Sequence, residues 1–331
     1  MLPIPVGANR SRTFRRSRSA RQELRTFLLT RSRLTNLAFI LLSCLAGVSL
    51  LLNLQLYLTS NKAITPHGIL ATISRPTAYE ELDHLIMVPG HSIWKGTDPE
   101  QRFSEDQWVL EPYQKGGKRL SALIKHIEIG AKLAAKNEKS LLVFSGGQTR
   151  PTSTTTEAES YLRLAQASNA FGVPASMYPF ARATTEDYAL DSYQNLLFSI
   201  ARFHEYTGRY PVKITVVGYE MKRARFIELH RRAIRWPEDK FEYIGVDPEG
   251  EEKTNAAEGE KQNGHLPYTT DTYGCHSTLL AKRRQRNQFL RFHSYYTSAP
   301  ELAPLLSWCP SLHSAGSGLY TGDLPWDSLA H

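Results

Sequence analysis

The chain has 331 residues, enough for one α/β domain of about 200 residues with extensions. Its formal net charge of +8 is concentrated in residues 1–36, which hold nine Arg and one Glu. The remaining residues hold 31 basic and 31 acidic side chains, so this part of the chain is neutral and has no footprint for nucleic-acid phosphates. The composition therefore argues against nucleic-acid binding.

Residues 37–58 are the first predicted element, a run of 22 residues without a charge. Such a helix crosses about 30 Å of hydrocarbon at ~1.5 Å per residue. Nine Arg precede it and Lys62 follows it, so the positive-inside rule keeps the N-terminus cytosolic. No small-residue cleavage site follows, which predicts an uncleaved signal anchor of a single-pass type II protein in the ER or Golgi. The Arg-rich, acid-poor leader also fits a mitochondrial presequence, so the mitochondrial inner membrane is the alternative.

Strand and helix patterns then alternate along the chain. Apolar runs predict five strands, and amphipathic runs between them predict four helices, two of which end at a glycine. This spacing gives βαβ units and a mostly parallel sheet, in an α/β, Rossmann-like three-layer sandwich preceded by one transmembrane helix. The predicted strands are 84–89, 140–145, 175–180, 212–218 and 241–246, and the predicted helices are 117–137, 156–172, 186–208 and 221–234.

Composition shifts predict the organisation of the whole chain. The segments are a basic cytosolic tail (1–36), the signal anchor (37–58), a linker (59–82), the Rossmann-like domain (83–246), a flexible acidic loop (247–270) and a C-terminal helical extension with its tail (271–331).

Three cysteines occur, and Cys44 lies in the apolar run. Cys275 and Cys309 fall in the region expected in an oxidising lumen, where a disulfide is one interpretation and two free thiols the other. No Cys/His pattern has zinc spacing, so no metal site is predicted.

The stretch "SGGQT" after the second strand raises the question of a binding site. Gly146 and Gly147 permit close backbone approach, but the motif matches neither G-x-G-x-x-G nor a P-loop, so a tight turn is an alternative. Glu157 opens the helix after this loop, and polar residues also stand at two other junctions, Asn195 at one and Glu220 and Arg223 at the other. Ligands in open α/β sheets bind beyond the carboxyl ends of the strands, which favours a site.

These junctions resemble a known family, the domain-of-unknown-function family 218, which includes the bacterial envelope proteins ElyC, SanA and YdcF. The resemblance covers residues 84–246 and looks most like the fungal, membrane-anchored branch. Two family positions differ, since Gln194 stands for a Glu and Glu220 for a His, which puts inherited acid–base chemistry in doubt. The matching motifs are Ser145-Gly146-Gly147, Glu157-Ala158, Ser192-Tyr193-Gln194-Asn195 and Tyr219-Glu220-Met221-Lys222-Arg223-Ala224.

The resemblance and the chemistry of these side chains assign expected roles. The candidate catalytic residues are Glu220 and Glu157, and the candidate ligand-binding residues are Ser145, Gly146, Gly147, Asn195 and Arg223. The N–H groups of the two glycines are expected to hold an anionic group, and Arg223 to pair with a carboxylate or phosphate. Alternatives stay open: Glu157 as an ordinary acid at a helix start, Asp191 and Asn195 as capping residues, and His91 as a solvated loop residue.

The expected function is a lumenal domain that binds a polar or anionic, nucleotide-like or lipid-linked ligand, with no reaction assigned. The alternative is a catalytically inactive membrane-anchored adaptor of the same fold. A third interpretation is a structural membrane protein in which the signal anchor and a basic helix, residues 279–292, contact partners or lipid headgroups. A lumenal position of that helix counts against this interpretation, because anionic lipid is scarcer there. One branch of the family is associated with S-adenosylmethionine, but this chain lacks a clear glycine-rich methyltransferase loop, so that cofactor is a weak candidate.

Overall fold

The computed structural model describes residues 23, 25–26, 31–60, 70–116, 119–248, 257–311 and 318–330. The chain divides into two compact units, residues 1–64 and 65–331. The expected basic tail lies almost wholly outside the described residues, as do residues 61–69 of the expected linker.

The first unit contains one long helix, α1 (Arg31–Ser60). Residues Thr35–Leu58 have a mean hydropathy of 2.4, and none of the side chains in the most apolar window is buried. This helix is long and apolar enough to cross a membrane, and a signal sequence near the N-terminus would meet the same criterion. The predicted apolar element at 37–58 is thus a single continuous helix.

The second unit is built on a five-stranded sheet in which every neighbouring pair is parallel. Its spatial order is β5-β4-β1-β6-β7, so the chain builds outwards from β1 in one direction and then in the other. A separate antiparallel pair, β2 with β3, follows the central strand. The strands are β1 (His84–Pro89), β2 (Ile93–Trp94), β3 (Trp108–Val109), β4 (Ser140–Ser145), β5 (Ala183–Glu186), β6 (Lys213–Gly218) and β7 (Phe241–Gly245).

Helices fill the connections and the C-terminal part of the chain. Two π-helical segments, Arg225–His230 and Lys261–His265, run directly into short α-helices. The α-helices of this unit are α2 (Thr77–Glu80), α3 (Arg119–Lys136), α4 (Glu157–Ala167), α5 (Ser192–Thr207), α6 (Arg231–Ala233), α7 (Leu266–Thr270), α8 (Ser277–Arg286), α9 (Tyr295–Ser298) and α10 (Ala303–Leu306).

Both faces of the sheet are covered, as the near-continuous apolar strands require. In β1, Leu85 and Met87 join the core under α5, while Ile86 and Val88 join the core under α3 and α4. The three-layer α/β sandwich predicted from the sequence is therefore confirmed.

The C-terminal residues complete one of these cores, although the sequence suggested an extension separate from the domain. Tyr295, Leu302 and Trp326 are almost fully buried in the core under α5. Trp326 Nε1 donates to the Ile234 carbonyl at 2.8 Å. The folded unit thus continues well beyond residue 246.

Two further expectations need correction. Residues 175–180 do not form the third strand: the sheet instead takes residues 183–186, which the sequence places between that strand and the helix predicted to begin at Glu186. Residues 257–270, expected in a flexible loop, are helical and carry the buried Tyr268.

The two cysteines of the folded unit were left open from the sequence, as a disulfide or as two free thiols. In the structure Cys275 and Cys309 form a disulfide.

Candidate functional site: a cationic cavity at the switch point

A cavity of about 620 Å³ lies at the carboxyl ends of the central strands. The strand order reverses between β1 and β6, and in open α/β sheets the crevice at this switch point is where ligands bind. The loop after β1 contributes Gly90 and His91, and the turn after β6 contributes Lys222. The cavity is therefore formed at the position that the topology favours for a ligand.

The described lining residues carry an excess of positive charge. Six are Lys or Arg and three are acids: Arg119, Arg150, Lys222, Arg225, Lys282 and Arg286 against Glu157, Asp191 and Glu260. Two of the acids are in close ion pairs, Asp191 with Arg283 at 2.6 Å and Glu260 with Arg225 at 3.1 Å. A concave surface with this charge balance attracts anions.

Several of the cations contact neutral acceptors. Lys282 Nζ donates to the Asn263 carbonyl at 2.8 Å, and Arg286 donates to the Leu190 carbonyl at 2.7 Å. These contacts hold the two side chains in place through uncharged acceptors. A phosphate or carboxylate entering the cavity would meet donors that are already held in place.

Lys222 and His91 form the centre of the cavity wall. Lys222 Nζ lies 3.3 Å from Nδ1 and 3.4 Å from Nε2 of His91, whose ring stacks on Tyr219 with centroids 5.2 Å apart. Burial, followed by the positive charge of Arg225, lowers the pKa of Lys222 to about 7. Burial and the nearby Lys222 hold the pKa of His91 well below its usual value, so this imidazole is neutral at physiological pH. His91 is thus a cavity residue and not the solvated loop residue considered from the sequence.

Glu157 is the candidate residue that reaches the cavity with a carboxylate. It is the first residue of α4, and its Oε1 accepts a hydrogen bond of 2.5 Å from the Thr149 hydroxyl. Arg150 lies 4.0 Å from the same oxygen and also pairs with Glu111. The sequence placed Glu157 correctly at this edge, and the structure puts it beside a guanidinium.

Gly146 of "SGGQT" and Gly90 make room for Glu157, and Gly147 makes room for the backbone before α5. A Cβ on Gly146 would lie 2.8 Å from Glu157 Oε2, and one on Gly90 would lie 2.5 Å from Glu157 Cβ. A Cβ on Gly147 would lie 2.8 Å from the Ala189 carbonyl. The missing side chains therefore serve close packing between the ends of β1, β4 and the loop before α5.

The N–H groups of these glycines are not available to an anion, contrary to the expectation from the sequence. Gly146 donates its N–H to the Glu186 carbonyl at 2.9 Å, and Gly147 donates to the Ala189 carbonyl at 2.8 Å. Neither glycine lines the cavity. The tight-turn interpretation accounts for their conformation, and the cavity lies alongside the turn.

Ser145 belongs to a buried hydrogen-bond network beneath the cavity. Its hydroxyl, fully buried, lies 2.7 Å from Glu186 Oε2 and 3.0 Å from Asn195 Oδ1. Burial raises the pKa of Glu186 to about 7, and its other oxygen accepts from the Tyr295 hydroxyl at 3.1 Å. Ser145 thus supports the site from below, whereas Asn195 also reaches the cavity lining.

Glu220 and Arg223 pair with each other outside the cavity lining. The Arg223 guanidinium donates to both Glu220 oxygens at 2.6 and 2.7 Å and to the Tyr243 carbonyl at 2.7 Å. The 3₁₀ turn Glu220–Lys222 after β6 separates the side chains, so Met221 and Lys222 line the cavity while Glu220 packs against Gly245. The motif lies at the expected strand end, but other residues of the same segment line the cavity.

None of the six described Lys and Arg residues that line the cavity was among the site residues expected from the sequence. Lys222 belongs to the motif Tyr219–Ala224 directly after β6, so its position at the end of a strand could have predicted a place in the cavity wall. Lys282 and Arg286 are four residues apart on α8 and so share a helix face. This face reaches the carboxyl ends of the strands only because the C-terminal segment packs against the sheet, which the sequence does not predict. Asp191, considered as a capping residue, does cap α5 by accepting from the Gln194 N–H at 2.9 Å.

The fold and the site together define a doubly wound α/β protein with a cationic cavity at its switch point and an apolar N-terminal helix. The chain is 30% identical over 264 residues to the uncharacterized protein YOR238W of Saccharomyces cerevisiae. The match covers 65% of this chain and 87% of the yeast protein, so the chain belongs to the family of that protein. No family model matches the chain. No solved structure matches it either.

Proposed function

We propose that the protein is a single-pass membrane protein whose folded unit binds a polar, anionic ligand, either nucleotide-like or lipid-linked, in the cavity at the switch point. The observation that carries the proposal is the excess of Lys and Arg over acids among the described residues that line the cavity. Phosphate groups satisfy such a lining better than neutral ligands, because several charged donors converge on them.

The resemblance to the domain-of-unknown-function family 218 is part of this proposal. It is supported by the order of the strand-end motifs and by the buried contact of Ser145 with Asn195, which links two of them. Glu157, from a third motif, contacts the backbone of the glycine turn through its N–H, which donates to the Gly147 carbonyl at 3.2 Å. The bacterial envelope proteins of that family suggest a role at a membrane.

The candidates for acid–base chemistry in this proposal are Glu157 and the Lys222–His91 pair. A lysine with a pKa of about 7 can hold or release a proton near neutral pH. The His91 imidazole, which stays neutral, lies 3.3 Å from this amine and can accept a hydrogen bond from it. Glu220 is less suited to a catalytic role than the sequence suggested, because Arg223 occupies both of its oxygens. No reaction is assigned.

S-adenosylmethionine remains the weaker candidate for the ligand. Its sulfonium carries a positive charge, which the excess of cations in the lining disfavours. A ligand with two or more phosphate charges gains from the same lining.

Thermal shift tests the proposal on the full chain in detergent or nanodiscs, with ADP, pyrophosphate, a polyprenyl phosphate, S-adenosylmethionine and uncharged adenosine as probes. Ligands that bind only the folded state raise its melting temperature by mass action. We expect stabilisation by at least one phosphate compound and none by adenosine. Equal shifts with adenosine and ADP would contradict anion recognition.

A catalytically inactive, membrane-anchored adaptor of the same fold is the second candidate. It is favoured by Glu220, which replaces the family's His and is held by Arg223 away from the cavity. An adaptor predicts no shift with any probe and retention of a protein partner after Lys222→Met. Binding of a phosphate probe that this substitution removes favours the first candidate.

For the membrane topology we propose a type II orientation in the ER or Golgi, with the mitochondrial inner membrane as the alternative. The support is the excess of Arg before α1. Protease should leave the folded unit intact in sealed microsomes and digest it after detergent. Asn9-Arg10-Ser11 is a glycosylation acceptor, and its modification would indicate a lumenal N-terminus and contradict this orientation.

A further inference from the structure

A short loop after α8 displays three large apolar side chains to solvent. Leu290 is 87% exposed, Phe292 74% and Phe289 42%. These three residues, hereafter the apolar knob, lie in the folded unit and not in the apolar helix α1. Surface apolar residues are common singly, but a cluster of three on one loop marks an interaction surface.

The knob is held in place by specific contacts. The Asn287 side chain accepts from the Arg291 N–H and donates to the Arg291 carbonyl, both at 2.9 Å, and so closes the loop. Leu290 has a φ of +51°, a conformation that non-glycine residues rarely adopt. The rings of Phe292 and Tyr296 stack with centroids 5.7 Å apart. The loop therefore holds its apolar side chains outwards.

The segment that carries the knob is basic. Residues 272–300 contain five Lys or Arg and no Asp or Glu. Arg284 and Arg286 are exposed in the last turn of α8, and the Arg291 guanidinium lies 4.9 Å from the centre of the Tyr188 ring. Protein surfaces that enter the headgroup region of a bilayer typically combine aromatic and aliphatic side chains with flanking Arg.

We infer that the apolar knob is a membrane-docking element, which inserts into the interfacial layer of a phospholipid bilayer while the flanking arginines bind lipid phosphates. Charge complementarity favours this occupant, because Arg forms bidentate hydrogen bonds with phosphate and the segment 272–300 itself contains no acid that would repel lipid phosphates. The membrane anchoring proposed above for α1, a helix long and apolar enough to cross a bilayer, would bring a bilayer to the folded unit. The inference rests on the membrane anchoring of the proposed function, but it does not depend on what the cavity binds.

Spin labelling of the full chain in proteoliposomes tests this inference. The label is placed by Leu290→Cys in a Cys44→Ser background without reductant, so that the Cys275–Cys309 disulfide stays closed. The matched control is Asp239→Cys. Asp239 is also exposed, but it lies just before β7, at the amino ends of the strands and not at the carboxyl ends where the cavity lies. Collision rates are measured with oxygen, which concentrates in lipid, and with a water-soluble nickel complex.

We expect the label at 290 to collide more with oxygen and at least fivefold less with the nickel complex than the label at 239. Arg284→Gln should weaken this protection, and vesicles with added anionic lipid should strengthen it. Free access of the nickel complex to the label at 290 would overturn the inference. Protection that disappears when the protein is diluted in lipid would also overturn it, because the knob would then contact a second copy.

Discussion

Replacing Lys222 by Met should change ligand binding and stability in opposite directions. Lys222 Nζ faces the cavity beside His91, and burial lowers its pKa to about 7. Below that pH Lys222 carries a charge that burial makes unfavourable in the folded protein. This charge becomes favourable only when an anion is bound in the cavity. Met keeps the length of the side chain and removes the charge, so the two effects can be measured separately.

The loss of binding follows from one charged hydrogen bond. Removing it costs about 1.5–3 kcal/mol, which weakens the affinity for ADP or pyrophosphate roughly 10- to 150-fold. In the unsubstituted protein, affinity should fall as pH rises through about 7, since only the protonated amine attracts the anion. At pH 9 about one molecule in a hundred would carry the charge before binding.

The effect on stability has the opposite sign. The pKa of Lys222 is about 7 in the folded protein and about 10.4 in the unfolded chain. The cost of burying its charge is therefore fully present below pH 7, and this cost is relieved as the pH rises from about 7 towards 10.4. Allowing for partial exposure of the side chain, we expect Lys222→Met to stabilise the fold by about 2 kcal/mol at pH 6. For a unit of this size the melting temperature rises by about 4–8 °C.

Calorimetric titration and thermal unfolding at pH 6 and pH 9 measure both effects, with Lys132→Met as the matched control. Lys132 lies on the exposed surface of α3 and does not line the cavity. Unchanged affinity in Lys222→Met, with a pH profile like that of the unsubstituted protein, would refute the role given to this amine. A fall in melting temperature at pH 6 would refute the stated cost of burying its charge.

Three further predictions concern the support of the site. Gly146→Ala should lower the free energy of unfolding by about 1–3 kcal/mol in denaturant titrations, because its Cβ would displace Glu157; an unchanged midpoint would contradict the close packing. Replacing Cys275 and Cys309 together by Ser should cost about 4 kcal/mol for a loop of 34 residues, and added reductant should then have no further effect. The raised folded pKa of Glu186 makes stability fall as pH rises from about 4 to 7, so Glu186→Gln should flatten that part of the unfolding profile; an unaltered slope would exclude this carboxyl as its source.

The sequence by itself determined the α/β class and the edge of the sheet where the cavity lies. Strand β1 and strand β4 have the predicted limits, 84–89 and 140–145, because apolar runs bounded by turn residues are local signals. Glu157 and Asn195 could be placed near the site for the same reason. The carboxyl ends of parallel strands share one edge, so residues just after them come close together.

The tertiary structure decided which side chains line the cavity. Whether Lys222 or Arg223 faces it depends on a single 3₁₀ turn, and strand 183–186 was missed because its polar residues pair with β4 at the sheet edge. Lys282 and Arg286 reach the cavity only because the C-terminal segment packs over the sheet. The pairing of β5 with β4 joins residues 41 positions apart, and Arg286 contacts Leu190 across 96 positions. Such contacts leave no periodic signal in the sequence.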